Sequence, residues 1–266
     1  MPSAEAVLLP KLFPSNLVSL GQIVRNALAP NVNTYTKSCG VVKDEDIAKH
    51  DDPEQPYKAM VSVDTRGRFD IGLTRLLGGA FNARSANLLS IEAERLEHSA
   101  LKDATDILRR IAGDEDARNW INDMVLHKTP CYIVVGLQVL CNAEFQRVVL
   151  KEAGGGAHVT VPLEHTGQIP LHIQGELSAD RFGKSTGRVS GVFGIQVQKL
   201  ITVLETENKS TLQGDVRWQW TYQRVKGTQE EVTKQLSIRL EDVELDELVN
   251  LLAQDDAQDD EDGDER

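Results

Sequence analysis

The sequence predicts an α+β fold: a twisted, mainly antiparallel sheet with helices packed on it. Three observations carry this. Two long apolar runs rich in β-branched residues, Cys131–Leu140 and Val192–Leu204, read as strands. Two shorter stretches, His158–Leu163 and Ile169–Gln174, alternate apolar and polar residues and are joined by EHTGQ, which predicts a hairpin with one apolar face. Helical spacing is found in a short stretch after Ser15, in residues 101–126 and after Gly227. No strand–helix alternation supports a doubly wound fold, so the helices group on an antiparallel sheet.

The elements follow in order. Val7–Leu9 is a short apolar piece stopped by Pro10. Ser15 is placed to cap a short helix burying Leu17, Val18, Leu20, Ile23, Val24 and Leu28, with Pro30 at its end. Residues 31–60 are polar, centred on DEDIAKHDDPEQP, and read as a long surface loop with at most short strands, the least defined part of the body. Met60 to Thr65 alternates as a short strand. The passage from Phe69, FDIGLTRLLGGAFNARSANLL, is rich in Gly, Ala, Ser and Asn; glycine weakens helix and strand alike, so this passage is expected to move or to lie over another surface. Leu89, Ile91, Ala93 and Leu96 restore a strand pattern, with Glu92 and Glu94 on the opposite face.

Leu101, Ala104, Ile107, Leu108 and Ile111 then recur at helical spacing, and Gly113 breaks the run. Asp114 or Asp116 can cap a second helix reaching Leu126, with Trp120, Ile121, Met124 and Val125 on one side and Trp120 packing into the core. After Cys131–Leu140, Phe145–Leu150 reads as a separate strand, followed by KEAGGG. Ser178–Ser190 is polar and holds Arg181, Lys184 and Arg188. Thr211–Arg224, with Trp218, Trp220 and Tyr222 on one parity, reads as a further strand or a surface ribbon. From Gly227, Val232, Leu236, Leu240, Val243, Leu245, Leu248 and Leu251 suggest a helix, and the last dozen residues suggest disorder.

The 266 residues make one large domain or two small ones. The formal charge of -12 sits at the end of the chain: from Glu241 on there are thirteen acidic residues and one basic residue, Arg266. The charge-balanced remainder lacks the basic stripe of a nucleic-acid binder, so no nucleic-acid partner is expected; the acidic end solubilises the chain or masks a basic surface. No apolar run approaches the length of a membrane helix, and the first residues lack the pattern of a signal peptide. Cys39, Cys131 and Cys141 are odd in number and scattered, which suggests core thiols in an intracellular chain without a disulfide scaffold.

Chemistry-bearing motifs are missing from the sequence. It contains no GxSxG elbow, no phosphate loop and no HExxH, and the glycines of GRVSGVFG lack dinucleotide-binding spacing. The six histidines never pair at i and i+4. The expectation is no catalytic residue, no metal and no cofactor. The alternating segments near 60–100 and 157–205 have the period of half-buried soluble strands, and equally that of membrane β-barrel strands, whose edges must close in a bilayer.

Four stretches, in order, resemble the gasdermin family, specifically its small microbial and fungal members without a large inhibitory domain. They are the LxxLGxL-like segment from Leu17 to Val24 in NLVSLGQIV, the glycine-rich GLTRLLGGAFNARSANLLSIEAERLE at 72–97, the central strand Tyr132–Leu137 (YIVVGL), and VFGIQVQKL at 192–200. The similarity spans about residues 7 to 240. It departs from many bacterial members at the start, where Ser3 and Ala4 stand in place of an acylated cysteine, so no acyl group is expected.

The resemblance implies a fold like the gasdermin N-terminal domain and a protease-activated, membrane pore-forming protein that causes regulated cell death. It implies a pore-forming body at 1–227 and an autoinhibitory helix with an acidic tail at 228–266. The intact chain is then a cytoplasmic monomer; an activating protease removes its end, and the body binds acidic or other membrane lipids, self-oligomerises at the cell membrane and inserts two hairpins as a transmembrane β-barrel. Lipid would be met by Arg75, Arg84, Arg95, Arg181, Lys184 and Arg188. The inserting residues would be Leu73, Leu89, Ile91, Val159, Val161, Leu163, Ile169, Leu171, Ile173 and Val192, and the autoinhibitory ones Leu240, Leu245 and Leu248. Two other classes stand beside this one: a soluble binding or scaffolding protein with a solubilising acidic tail, and an enzyme with a dispersed site.

Overall fold

The computed structural model describes residues 7–51, 56–62, 87–149, 188–205, 215–224, 230–243 and Glu247. The expected hairpin at 158–173, the passage 63–86 and the end of the chain after Glu247 lie outside the described residues.

The fold is α+β: a curled antiparallel sheet with packed helices. Its elements are β1 (Val7–Phe13), β2 (Ile23–Val24), β3 (Ile47–Asp51), β4 (Tyr57–Ser62), β5 (Asn87–Ala93), β6 (Arg95–Leu101), α1 (Ala104–Ile111), α2 (Glu115–Leu126), β7 (Tyr132–Val149), β8 (Val189–Glu205), β9 (Val216–Arg224) and β10 (Glu230–Asp242). The main path of the sheet is β3-β6-β7-β8-β10-β9. Off this path β5 pairs with the far half of β7 and with β4, while β1 pairs with β8 and β2 with β7.

β7 is the centre, and both of its faces are covered. Ile133 and Val135 point to the cluster formed with Ile107, Ile111 and Ile121 of the helices and Leu236 and Ile238 of β10. Tyr132 and Val134 point the other way, to Leu9, Phe13, Val18, Val24 and Leu28 of the N-terminal segment. Burial on both faces is why this stretch reads as an unbroken apolar run and does not alternate. The glycine within it, Gly136, has a packing reason: a Cβ there would overlap the side chain of Gln196 on β8.

Both helices form where the spacing predicts. Asp103 caps α1, its carboxylate accepting from the Asp106 amide, and Arg109 and Arg110 complement the dipole in its last turn. For α2 the cap is Asp114, which accepts from the Asp116 amide. Trp120 packs on the core as expected and lies 6.1 Å from the ring of Tyr35.

Four expectations are corrected. The segment after Ser15 is not a helix. Gly21 has φ +77°, its amide donates to the Val134 carbonyl, and the Val134 amide donates to the Gln22 carbonyl. These backbone groups bind β7 instead of one another, as β2 does at Ile23 and Val24. The inward residues still face inward, except Leu17, which is 42% exposed. The stretch 31–60, expected to be a surface loop with at most short strands and the least defined part of the body, forms over 31–51 two 3-10 turns, Thr36–Val41 and Asp44–Asp46, and then β3, a short strand as allowed for. Arg110 holds them, donating to the Val41 carbonyl and pairing with Asp46 at 2.7 Å.

The two strands expected at 131–140 and 145–150 are one, β7, bent at Asn142. Its φ of +52° and the shift of register between Leu140 and Ala143 mark a β-bulge. The helix expected from Gly227 is the strand β10 over Glu230–Asp242. β10 is an interior strand, paired with β8 from Gln235 to Asp242 and with β9 from Glu230 to Ile238. The expected boundary at 227/228 therefore falls between two paired strands. Leu236 and Ile238, two apart, are both buried, so the spacing that suggested a helix is a strand period of two.

Candidate functional site

The bulge at Asn142 divides the sheet. Beyond it β5 pairs with β7 from Asn87↔Val149 to Glu92↔Glu144, and β4 pairs with β5 from Tyr57↔Ala93 to Ser62↔Leu88. On the other side of β7 lies β8, whose first residue Val189 is opposite Ala143. Four neighbouring strands thus run in the order β4-β5-β7-β8 with alternating direction. β4 ends and β5 begins at this end of the sheet; β7 ends and β8 begins there too. Antiparallel pairing places the strand ends that bracket residues 63–86 and 150–187 at one end of the sheet, on adjacent pairs of strands.

The bulge is built locally. The Asn142 amide donates to Ser190 Oγ at 2.9 Å, its side-chain amide donates to Glu94, and the Glu94 amide donates to the Cys141 carbonyl at 3.0 Å. Glu94 lies between β5 and β6, so both chains bend at the same level. Below the bend Ile91, Ala93, Leu140, Ala143 and Phe193 form a third core cluster, with Leu96, Tyr57 and Phe145 against it. The polar face of β4 and β5 is held by Lys58 and Glu92, register partners that pair at 2.8 Å.

The expected site residues fall as follows. Ile91 and Val192 are fully buried, Ile91 in the third cluster and Val192 against the N-terminal segment. Leu89 is opposite Val61 and Arg147 in the ladder. Arg95 and Arg188 flank the bulge from opposite sides of β7: Arg95 is opposite Cys141, and Arg188 immediately precedes Val189. Both are exposed. Arg95 already pairs with Glu97 at 2.5 Å; that hydrogen bond raises the guanidinium and holds Glu97 below the usual carboxylate range. Leu240 is in β10 opposite Leu200, partly buried against the helical-face cluster. Leu73, Arg75, Arg84, Val159, Val161, Leu163, Ile169, Leu171, Ile173, Arg181, Lys184, Leu245 and Leu248 lie outside the described residues.

Burial pushes the Cys131 thiol up to about 12. It raises Cys39 and Cys141 as well, and at Cys141 the neighbouring Glu97 adds to it. All three are protonated thiols, poor nucleophiles and poor metal ligands at neutral pH. Among the described residues no group of three or more His, Cys, Asp and Glu could hold a metal, and no helix is long and apolar enough to cross a membrane.

One contact group was not foreseen. Glu247 accepts hydrogen bonds from the Tyr132 hydroxyl at 2.9 Å and from Lys199 at 2.5 Å. Tyr132 and Lys199 are register partners on β7 and β8. The third member lies far along the chain from Tyr132, so no local spacing could signal it.

No protein-family model matches the chain, and no curated protein matches it. The class defined by the described residues is an α+β protein with a curled antiparallel sheet.

Proposed function

We propose that this protein acts through binding and assembly, without catalysis, and that its working end is the one from which residues 63–86 and 150–187 leave the sheet. In the broader form of this reading it is a soluble binding or scaffolding protein whose acidic end keeps it in solution. The described residues back that form most directly, because they already bury three core clusters on the sheet without rearrangement.

A narrower reading, a gasdermin-like pore former, is favoured by one specific observation. The strands that bracket the two connections are consecutive neighbours, β4-β5-β7-β8. Lengthening both pairs along their own directions would extend one four-stranded antiparallel ribbon from each copy. Such ribbons, side by side, meet the demand that a bilayer places on strands, that every backbone group be paired. The connection 150–187 carries the alternating stretches with Val159, Val161, Leu163, Ile169, Leu171 and Ile173 on the apolar parity. Arg95 and Arg188 stand at the base of the ribbon, where lipid headgroups would lie.

The experiment is dye release from vesicles of phosphatidylcholine with phosphatidylserine. The narrower reading expects release by a chain freed of its acidic end and none by Val161→Asp or Leu171→Asp, since a charge on the lipid face costs about 2–4 kcal/mol at mid-bilayer for a basic residue and somewhat less for an acidic one, repeated in every copy. Retained release by both variants rejects the hairpin assignment. Absence of release from every folded form leaves the broader reading.

A further inference from the structure

After Asp242 the chain cannot continue in the sheet. β10 lies on the side of β8 away from β7 and ends opposite Gln198; on that same side β1 takes over, with Val7 opposite Ile195 and Phe13 opposite Val192. The lane is occupied, so the chain is turned out of it. Val243 packs on the cluster of Tyr132, Val134, Ile195 and Val197, and Glu247 meets Tyr132 and Lys199. Tyr132 is fully buried apart from this bond, and burial, followed by the bond to Glu247, raises its hydroxyl well above the usual range, which keeps it a neutral donor. Lys199 and Glu247 retain only 29% and 33% of their side-chain exposure, so their pairing is partly desolvated and stronger than that of a surface pair.

We propose that Glu247 is the attachment point that locks the acidic end of the chain to the body, through Tyr132 and Lys199, and that its release is the regulatory step; the regulatory half rests on the pore reading above. The releasable piece begins after Asp242. It does not begin near 228, because β10 belongs to the sheet. The device is a single three-residue clasp on the strand pair β7–β8, whose other ends bracket the connection 150–187.

The test uses the full chain with Glu247→Gln and Tyr132→Phe, singly and together, and two readouts. Hydrogen exchange of the peptide covering Asp242 to Glu247 speeds up about tenfold in each single variant, and the double variant speeds it by less than the product of the two, because both act on the shared Tyr132–Glu247 bond. Glu247→Gln also releases dye from phosphatidylserine-containing vesicles without cleavage, where the unsubstituted chain does not. Unchanged exchange overturns the attachment. Faster exchange with intact vesicles, while a chain ending at Asp242 does release dye, overturns the regulatory role. If neither form releases dye, the pore reading is what fails, and exchange alone judges the attachment.

Discussion

Gly21 shows how a single residue decides the course of the N-terminal segment. Its φ is +77°, and an added Cβ would come within 2.6 Å of Val42. Gly21→Ala therefore suffers both backbone strain and a clash, and is expected to lose about 2 kcal/mol, seen as a Tm several degrees lower. Asn122, buried on α2, accepts from the indole of Trp218 on β9 at 3.0 Å. Trp218→Phe strands that acceptor at a cost of about 1–3 kcal/mol, and adding Asn122→Leu should recover part of it in denaturant unfolding. Two aspartates link the N-terminal turns to the helices. Hydrogen bonds, from Arg110 to Asp46 and from the Tyr35 hydroxyl to Asp114, hold both carboxyls below the usual aspartate range. A depressed folded-state value contributes stability above the unfolded one, near pH 4, which is lost as pH falls through the folded value. Asp46→Asn should therefore be less stable at pH 7 and should show a flatter loss of stability below pH 4.

At the scale of elements, legibility followed how local the determining forces are. The two helices were readable because their apolar stripe and their caps, Asp103 and Asp114, lie within a few residues of each other. β10 is ambiguous in the sequence because residues four apart, Val232, Leu236 and Leu240, fit a helix and a strand equally; Ile238 is the residue that separates the two. The bend in β7 was not readable, since it depends on Ser190 and Glu94, distant in sequence from Asn142. The side-by-side placement of the strand pairs β4-β5 and β7-β8 follows from strand order, which no single stretch encodes. β10 supplies a prediction at this scale. A chain ending at residue 227 lacks the partner of β8 and β9 and the buried Leu236 and Ile238, whose truncation to alanine alone costs about 2–5 kcal/mol each. It should fail to unfold cooperatively, while a chain ending at Asp242 should unfold as a folded protein does; calorimetry of the two decides it.

For the whole molecule, the proposed function assigns separate parts to the acidic end and the curled sheet. At one end of the sheet lie the strand ends that bracket residues 63–86 and 150–187, and -10 of the formal net charge of -12 resides in the residues after Asp242, where β10 ends. Dye release by the chain ending at Asp242 from vesicles with and without phosphatidylserine, beside the intact chain, measures directly whether that end of the sheet inserts. The pore account predicts release by the shortened chain, abolished by Val161→Asp, and none by the intact one. A shortened chain that melts cooperatively yet leaves both kinds of vesicle intact would contradict it.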